Sequence, residues 1–456
     1  MSEKECYESE RDFQQLLENL KNEEMNVFRE SLLSLHTYEQ GKFYLELDES
    51  LRMRFYSYMS PAELAEMFDV LDLDRPVLMG YLSEMSAEYA AAMIGEMSSD
   101  NAVDLLHQVG SQEKVEDYLT RMDDEERKVI QDLMHYKDDT AGALMTREFV
   151  SIVGSQTVRS AMHVLKSKAE MAETIYYVYV TNQEDELNGV ISLKDLIVND
   201  EDALILDIMN ERVIYVGVND DQEDIAYMFR DYDFLALPVV DDIGRLQGIV
   251  TVDDIIDVID DEAASDYSGL AGVNVEEISN NPLCSAWKRL PWLLALLFLG
   301  LGTASVINHY EQMMEKGVAY LAVFLMIITG TAGNAGTQSL AVAVRRLALK
   351  SDDERSSWGI VISEILTGLI TGLIVSLVIF FIVFVWKCNI WFALAVCIAM
   401  FMAINVGNLA GSLIPRLMER LGVDPAVASG PFITTFSDLT SVLIYFRIAK
   451  LFLPWV

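Results

Sequence analysis

Residues 358–385 read WGIVISEILTGLITGLIVSLVIFFIVFV, and this run decides the architecture. Its one charged residue is Glu364. A helix needs about 20 apolar residues to cross a hydrocarbon core of roughly 30 Å, and the run exceeds that. Four further stretches behave alike: Leu290 to Ile307, Val318 to Ala343, Ile390 to Ile414 and Phe432 to Phe452. Residues 286–456 are therefore predicted to form an α-helical domain of five transmembrane spans. Lys288 and Arg289 precede span one, Arg345, Arg346, Lys350 and Arg355 separate spans two and three, and Arg416 and Arg420 separate spans four and five. All three basic clusters fall on one side, which the positive-inside rule makes cytoplasmic. An odd number of spans leaves the carboxyl terminus outside, against the pull of Arg447 and Lys450.

The net charge of -38 on 456 residues is not shared between the halves. From Ala286 onward there are 12 Lys/Arg and 9 Asp/Glu, which leaves 21 basic and 62 acidic residues in the first 285. An acidic half of this kind repels nucleic acid and anionic lipid. It favours divalent cations as counter-ions, because self-repulsion otherwise opposes compaction. The opening MSEKECYESERDFQ lacks the apolar core of a signal peptide, so the acidic half is expected to stay in the cytoplasm. Cys6, Cys284, Cys388 and Cys397 form no C-x-x-C pair, and the five histidines are scattered, which argues against a thiolate or imidazole metal site.

Within the acidic half, residues 1–140 carry apolar residues at helical spacing. MSPAELAEMF, MSAEYAAAMI and MSSDNAVDLL, starting at Met59, Met85 and Met97, each place a capping Ser before an apolar face. Short helices stacked in a superhelix explain such recurrence, since no unit buries its own stripe. After Thr146 the texture changes to strands alternating with helices. LNGVISLKDL (187–196) returns as LQGIVTVDDI (246–255): a glycine turn, a short strand, then a Ser or Thr that can cap a helix with an Asp three residues on. This duplication resembles a tandem pair of cystathionine-β-synthase (CBS) domains, at 141–200 and 201–262. A connecting segment, 254–285, follows, with Asp254, Asp257, Asp261 and Ser265 along one helical face.

The spans carry patterned polar atoms. Glu364, Thr367 and Thr371 share a face, as do Asn405, Asn408 and Ser412, and Thr434, Asp438 and Ser441. Gly368, Gly372, Gly407 and Gly411 accompany them, so part of this polarity is close-packing interface. Asp438 stands apart. An ionised carboxylate inside a span costs at least about 2.5 kcal/mol, so it faces water or a partner, and no Lys or Arg lies centrally in any span. In span two, Thr329 to Gln338 (TGTAGNAGTQ) holds three glycines in seven residues, expected to weaken the helix and expose its oxygens to protein or water. With Asp438 these make an all-oxygen lining. Mg²⁺ suits such a lining and dehydrates reluctantly, so one carboxylate can hold it through its waters.

GTAGNAGTQS (330–339), DPAVASGPFITTFSD (424–438) and YKDDTAGALMT (136–146) before a CBS pair are similar to the MgtE family of magnesium channels, in the same order along essentially the whole chain. The resemblance implies a homodimer in the inner membrane with a pore between subunits. Asp438 of both chains would grip hydrated Mg²⁺, with Gly330, Gly333, Asn334, Thr337 and Thr434 along the pore. It also implies closure by cytoplasmic Mg²⁺ on Asp100 and Asp104 of the helical domain, Glu223 and Asp233 of the second CBS domain, and Asp254, Asp257, Glu262 and Asp266 running into a connecting "plug" helix. Ser265 stands where the family pattern has another acid, and Thr337 and Gly430 stand where an Asn can occur. CBS pairs of the family can also hold ATP, for which Tyr177, Asp195, Phe234 and Asp254 are the matching contacts.

Two other readings fit the residues. Asp438 and Glu364 could carry protons in a divalent-cation transporter coupled to H⁺ or Na⁺, or the spans could merely anchor an energy-sensing regulator. An enzyme is not expected, because no nucleophile, base or phosphate-binding loop assembles from the sequence.

Overall fold

The structure is a computed structural model. It describes residues 13–71, 73–169, 171–273, 282–310, 321–348, 357–421 and 429–455. Lys350, Arg355 and the DPAVA of the 424–438 motif lie outside the described residues. The chain divides into two units between Ile259 and Asp260.

The first unit opens with short helices. Pro61–Phe68 starts in a capping box, Ser60 with Glu63, and Ser86 caps Ala87–Glu96 by accepting from the Tyr89 N–H. The buried Met59, Met85 and Met97 anchor the segments between helices. Thr37–Leu45, Pro61–Phe68, Ala87–Glu96 and Gln112–Arg121 pack in one series, and Arg75–Glu84, Ser99–Val109 and Asp124–Leu133 in another, which is the expected superhelix. The third Met-Ser unit departs from the pattern: Ser98 makes no side-chain cap, and its hydroxyl donates to Glu173 instead.

Two three-stranded sheets follow, built on one plan. β1 (Ser151–Val153) pairs parallel with β2 (Tyr177–Thr181), and β2 pairs antiparallel with β3 (Leu187–Ser192). β4 (Val216–Gly217), β5 (Ala236–Val240) and β6 (Leu246–Thr251) repeat the order, with an irregularity at the equivalent place, Val180/Thr181 and Val239/Val240. The repeated glycines correct one expectation: Gly189 and Gly248 lie inside β3 and β6, not in turns. A Cβ on Gly248 would sit 2.6 Å from the Thr146 carbonyl oxygen, so the residue is small because another backbone crosses the strand there.

In the second unit five long helices correspond to the five expected spans: Pro282–His309, Leu321–Ala348, Ser357–Lys387, Ile390–Arg420 and Gly430–Phe452. Spans one, three, four and five are long and apolar enough to cross a membrane; the polar insertion dilutes span two. Span four is central and packs on spans two, three and five, and spans two and one also pack on span five. Phe324, Ile328, Val383, Phe392, Val396, Ala403 and Phe446 fill the bundle.

The three glycines of span two do not break its helix, contrary to expectation. A Cβ on Gly333 would lie 3.0 Å from Thr434, one on Gly336 3.1 Å from the Gly407 carbonyl, and one on Gly411 would collide with the Gly336 carbonyl. Backbone lies on backbone, and the glycines save the helix from a clash at the cost of some helix propensity. Gly411→Ala should therefore destabilise the bundle by about 1–3 kcal/mol through overpacking, whereas Gly302→Ala, with nothing within 4 Å of the new methyl, should not. Thermal unfolding of the detergent-purified protein checks this; equal melting of both variants would contradict the packing.

Candidate ion pathway and acidic junction

The polar atoms within the spans separate into two groups. The first is structural. Asn408 Nδ2 donates to the Glu364 carbonyl at 2.8 Å, Asn405 Nδ2 to the Phe401 carbonyl, and Thr367 and Thr371 to carbonyls one turn back. Gly368 and Gly372 make room for the two asparagines. Glu364 is buried, paired with Arg346 at 3.2 Å and reached by the Ser339 hydroxyl at 3.4 Å.

In the second group the side chains of Asn334, Gln338 and Asp438 have no hydrogen-bond partner among the described residues, and the Thr337 hydroxyl donates to the Asn334 carbonyl at 3.0 Å. Gly330, Asn334 and Gln338, four residues apart, lie along the exposed side of span two, with Thr337 half-buried beside them and Gly333 buried against Thr434. Gln338 was not singled out from the sequence, although the spacing 330, 334, 338 marks a helical stripe. Asp438 is half-buried in span five and has no hydrogen bond or ion pair among the described residues. Thr434 donates to the Gly430 carbonyl of its own helix, leaving its oxygen able to accept. Among the described residues no three acidic, His or Cys side chains converge to cage an ion directly. The arrangement suits a cation that keeps most of its water.

Gly430 opens span five, and a Cβ there would lie 3.2 Å from the Leu270 carbonyl and 3.7 Å from Thr337. Leu270, near the end of the helix Val252–Ala271, packs with Leu340, Val344 and Ile433 of spans two and five. The connecting helix thus ends against the two spans that carry the unpartnered polar residues.

In the first unit, Asp100 sits in the first turn of Ser99–Val109 and is only 8% exposed. Burial pushes its carboxyl well above the usual range; Asp254, Glu148 and Glu173 add repulsion, and the Asn101 N–H opposes it. Asp254 is likewise raised by burial, though the Thr251 hydroxyl donates to it at 2.6 Å. Asp69 is pushed up to about 7 by burial, against the Ser98 N–H and the Asn101 side chain that stabilise its charge. Glu173 is raised by burial and by Asp253. Asp69, Glu148, Glu173 and Asp253 thus join Asp100 and Asp254, and sequence reading missed them because they come from separate helices and loops. No local pattern marks them in the sequence; the uncapped Ser98, whose hydroxyl turns to Glu173, shows the junction only once the chain is folded.

The remaining acids are placed differently. Asp104 keeps an exposed surface, yet surrounding protein raises its carboxyl, with His107 opposing and Asp138 reinforcing. Glu223 accepts from the Tyr227 hydroxyl at 2.7 Å, and Asp233 is the left-handed end of its helix. Asp257, Glu262 and Asp266 lie further along Val252–Ala271, the last two beyond Ile259 and so outside the first unit.

A cleft of about 470 Å³ in the first CBS region is lined by Tyr176, Tyr177, Ser192, Leu193, Lys194 and Leu235. Asp195 is held by Ser192 at 2.6 Å, Phe234 stacks on Tyr232 at 5.4 Å, and neither they nor Asp254 form part of this wall.

Family models match in the order the fold suggests: an MgtE intracellular N domain at 35–139, CBS domains at 141–201 and 205–261, and an MgtE divalent cation transporter region at 325–448. The magnesium transporter MgtE of Enterococcus faecalis is 62% identical over 448 residues, covering 98% of each chain. The chain belongs to the MgtE family of magnesium transporters. The MgtE proteins of Bacillus subtilis and Thermus thermophilus are 36% and 34% identical, over 95% and 97% of this chain and 96% and 98% of their own. The crystal structure of the soluble part of a magnesium transporter, 61% identical, covers 56% of this chain and 100% of its own at a TM-score of 0.55. The cytosolic domain of the Mg²⁺ channel MgtE in complex with ATP, 36% identical, covers 53% and 98% at a TM-score of 0.50. As an MgtE family member with apolar spans, the chain is a multi-pass membrane protein.

The junction's charge has a measurable sign. Asp69 binds its proton more tightly folded, at about 7, than unfolded, near 3.8, so its contribution to stability is complete below the unfolded value and lost as pH rises through about 7. In EDTA, the calorimetric melting temperature of the intact protein should fall by several degrees between about pH 5 and pH 8, and less in Asp69→Asn. Equal pH slopes would remove Asp69 from the strained group.

Proposed function

We propose that two copies of this chain form a Mg²⁺ channel, with the ion path along Gly330, Asn334, Thr337, Thr434 and Asp438, and that cytoplasmic Mg²⁺ bound at acidic sites closes it. The observation that carries the reading is the stripe Gly330–Asn334–Gln338 beside a carboxylate without a partner, in helices of a bilayer domain. Hydrocarbon on that face would strand amides and a charge, so water and a second copy cover it. One carboxylate per chain, two per dimer, attracts a hydrated dication without stripping its waters. The basic ends of spans two and four give the orientation, with the acidic half inside and the carboxyl terminus outside.

Closure follows from repulsion. The carboxyls of Asp69, Asp100, Glu173 and Asp254 resist ionisation, with Glu148 and Asp253 adding repulsion, and hydrated Mg²⁺ among them would relieve the strain, so ions favour the compact arrangement in proportion to their tighter binding there. Asp104, Glu223, Asp233, Asp257, Glu262 and Asp266 would serve the same ions where domains and copies meet. The Leu270 end of the connecting helix, beside Gly430 and Thr337, is where closure would reach the path. ATP fits the cleft at Tyr177: aromatic and aliphatic walls suit a flat base, and Lys194 a phosphate. Coupling to protons is disfavoured for Glu364, which Arg346 and Ser339 already hold.

In proteoliposomes, Asp438→Ala should reduce Mg²⁺ entry to the level of empty vesicles. Patch recording should show discrete openings that vanish as Mg²⁺ on the acidic side rises from micromolar to tens of millimolar. Entry without discrete openings would favour a carrier, and Mg²⁺-independent openings would remove the sensor. Gly430→Asn, whose side chain must displace the Leu270 carbonyl, should shift closure to higher Mg²⁺ in the same recordings; an unchanged threshold would separate the connecting helix from the gate.

A further inference from the structure

Arg416, near the end of span four, is half-buried, and its Nη1 is enclosed without any hydrogen-bond partner. The charges acting on it are Arg346, Glu364, Glu419 and Arg420. Of the two acids, Glu419 is exposed one turn further on, and Glu364 is already committed: its carboxylate to Arg346 at 3.2 Å and to the Ser339 hydroxyl, its carbonyl to Asn408. Two guanidinium groups therefore share one engaged carboxylate, with Arg345 and Arg420 exposed close by in sequence. An enclosed cationic donor left unpaired is costly, and because Arg416 as a whole is only half-buried, a counter-anion from outside the chain can meet the accessible part of its guanidinium and offset that cost.

The chemistry of the surroundings defines that partner. Arginine's planar fork matches a tetrahedral phosphate in a bidentate way. Beside Arg416 and Arg420 on the same helix, Leu413, Leu417 and Leu421 are exposed one turn apart. A cationic ridge and an apolar ridge run side by side at the end of a membrane span. We infer that Arg416, with Arg346, binds the phosphate of an anionic phospholipid whose acyl chain lies along Leu413 and Leu417. A free phosphate offers the same anion but nothing to cover the leucines. The inference is independent of the channel reading, since it concerns binding and not transport.

The test uses the full-length protein, delipidated in detergent and titrated with phosphatidylglycerol, phosphatidylcholine or inorganic phosphate, with native mass spectrometry counting bound molecules. Wild type should bind one phosphatidylglycerol per chain at least about five-fold more tightly than phosphatidylcholine. That preference should vanish in Arg416→Gln, fall part-way in Arg416→Lys, and persist in Arg447→Gln near the far end of span five. Phosphatidylglycerol should also raise the wild-type melting temperature, a readout that needs no variant. Equal binding of the two lipids, or a preference kept in Arg416→Gln, would overturn the site. Millimolar inorganic phosphate that displaces the lipid and protects equally would overturn the lipid as its source.

Discussion

Span two can be polar inside a membrane only because its glycines let its backbone lie against spans four and five. Gly333 and Gly336 meet Thr434, Ile433 and Gly407, and Gly411 meets Gly336 from the other side. At such short separations the helix fixes the position of its neighbours with little freedom for sliding. Asn334 and Gln338 then project from the opposite, exposed side of the same helix. One sequence feature thus sets both the packing and the polar face, which is why spans two and five hold their positions while carrying groups that hydrocarbon would reject.

The acidic unit has the opposite problem. Its carboxylates are brought together by apolar packing that is indifferent to their charge: Ala102, Val103, Leu105 and Leu106 bury the helix that carries Asp100, and Ile255 and Val258 bury the helix that carries Asp254. Burial and mutual repulsion raise both acids. The fold therefore stores electrostatic strain of a kind that protons or cations relieve, which is the physical basis of the proposed closure. A solvated acidic surface would store nothing.

Periodicity and composition carried the architecture. Spans, stacked helices and the duplicated sheet were legible because each rests on local pattern, a 28-residue apolar run or a repeated decamer. Two local readings failed for the same reason: Gly189 and Gly248 are small because of a crossing segment, and Gly333 and Gly336 of span two are small because of facing helices. A tertiary neighbour explains each, and no neighbour is visible in sequence. Asp438 was legible, since a lone acid in an apolar run is conspicuous. Asp69, Glu148 and Glu173 were not, in a region with 62 acids that all resemble solvated surface until the fold buries some of them.

The two units also treat carboxylates in ways that explain one another. Glu364 is neutralised by an arginine and its backbone carbonyl by an asparagine, so it welds spans and offers an ion nothing. Asp438, with no such company, keeps its full demand for a counter-charge. A bundle that held Asp438 as it holds Glu364 would be more stable and would have no reason to admit a cation. The lack of a partner at one acid, within a bundle that partners the other so completely, is what the proposed ion path rests on, and an anchor alone would have no use for it.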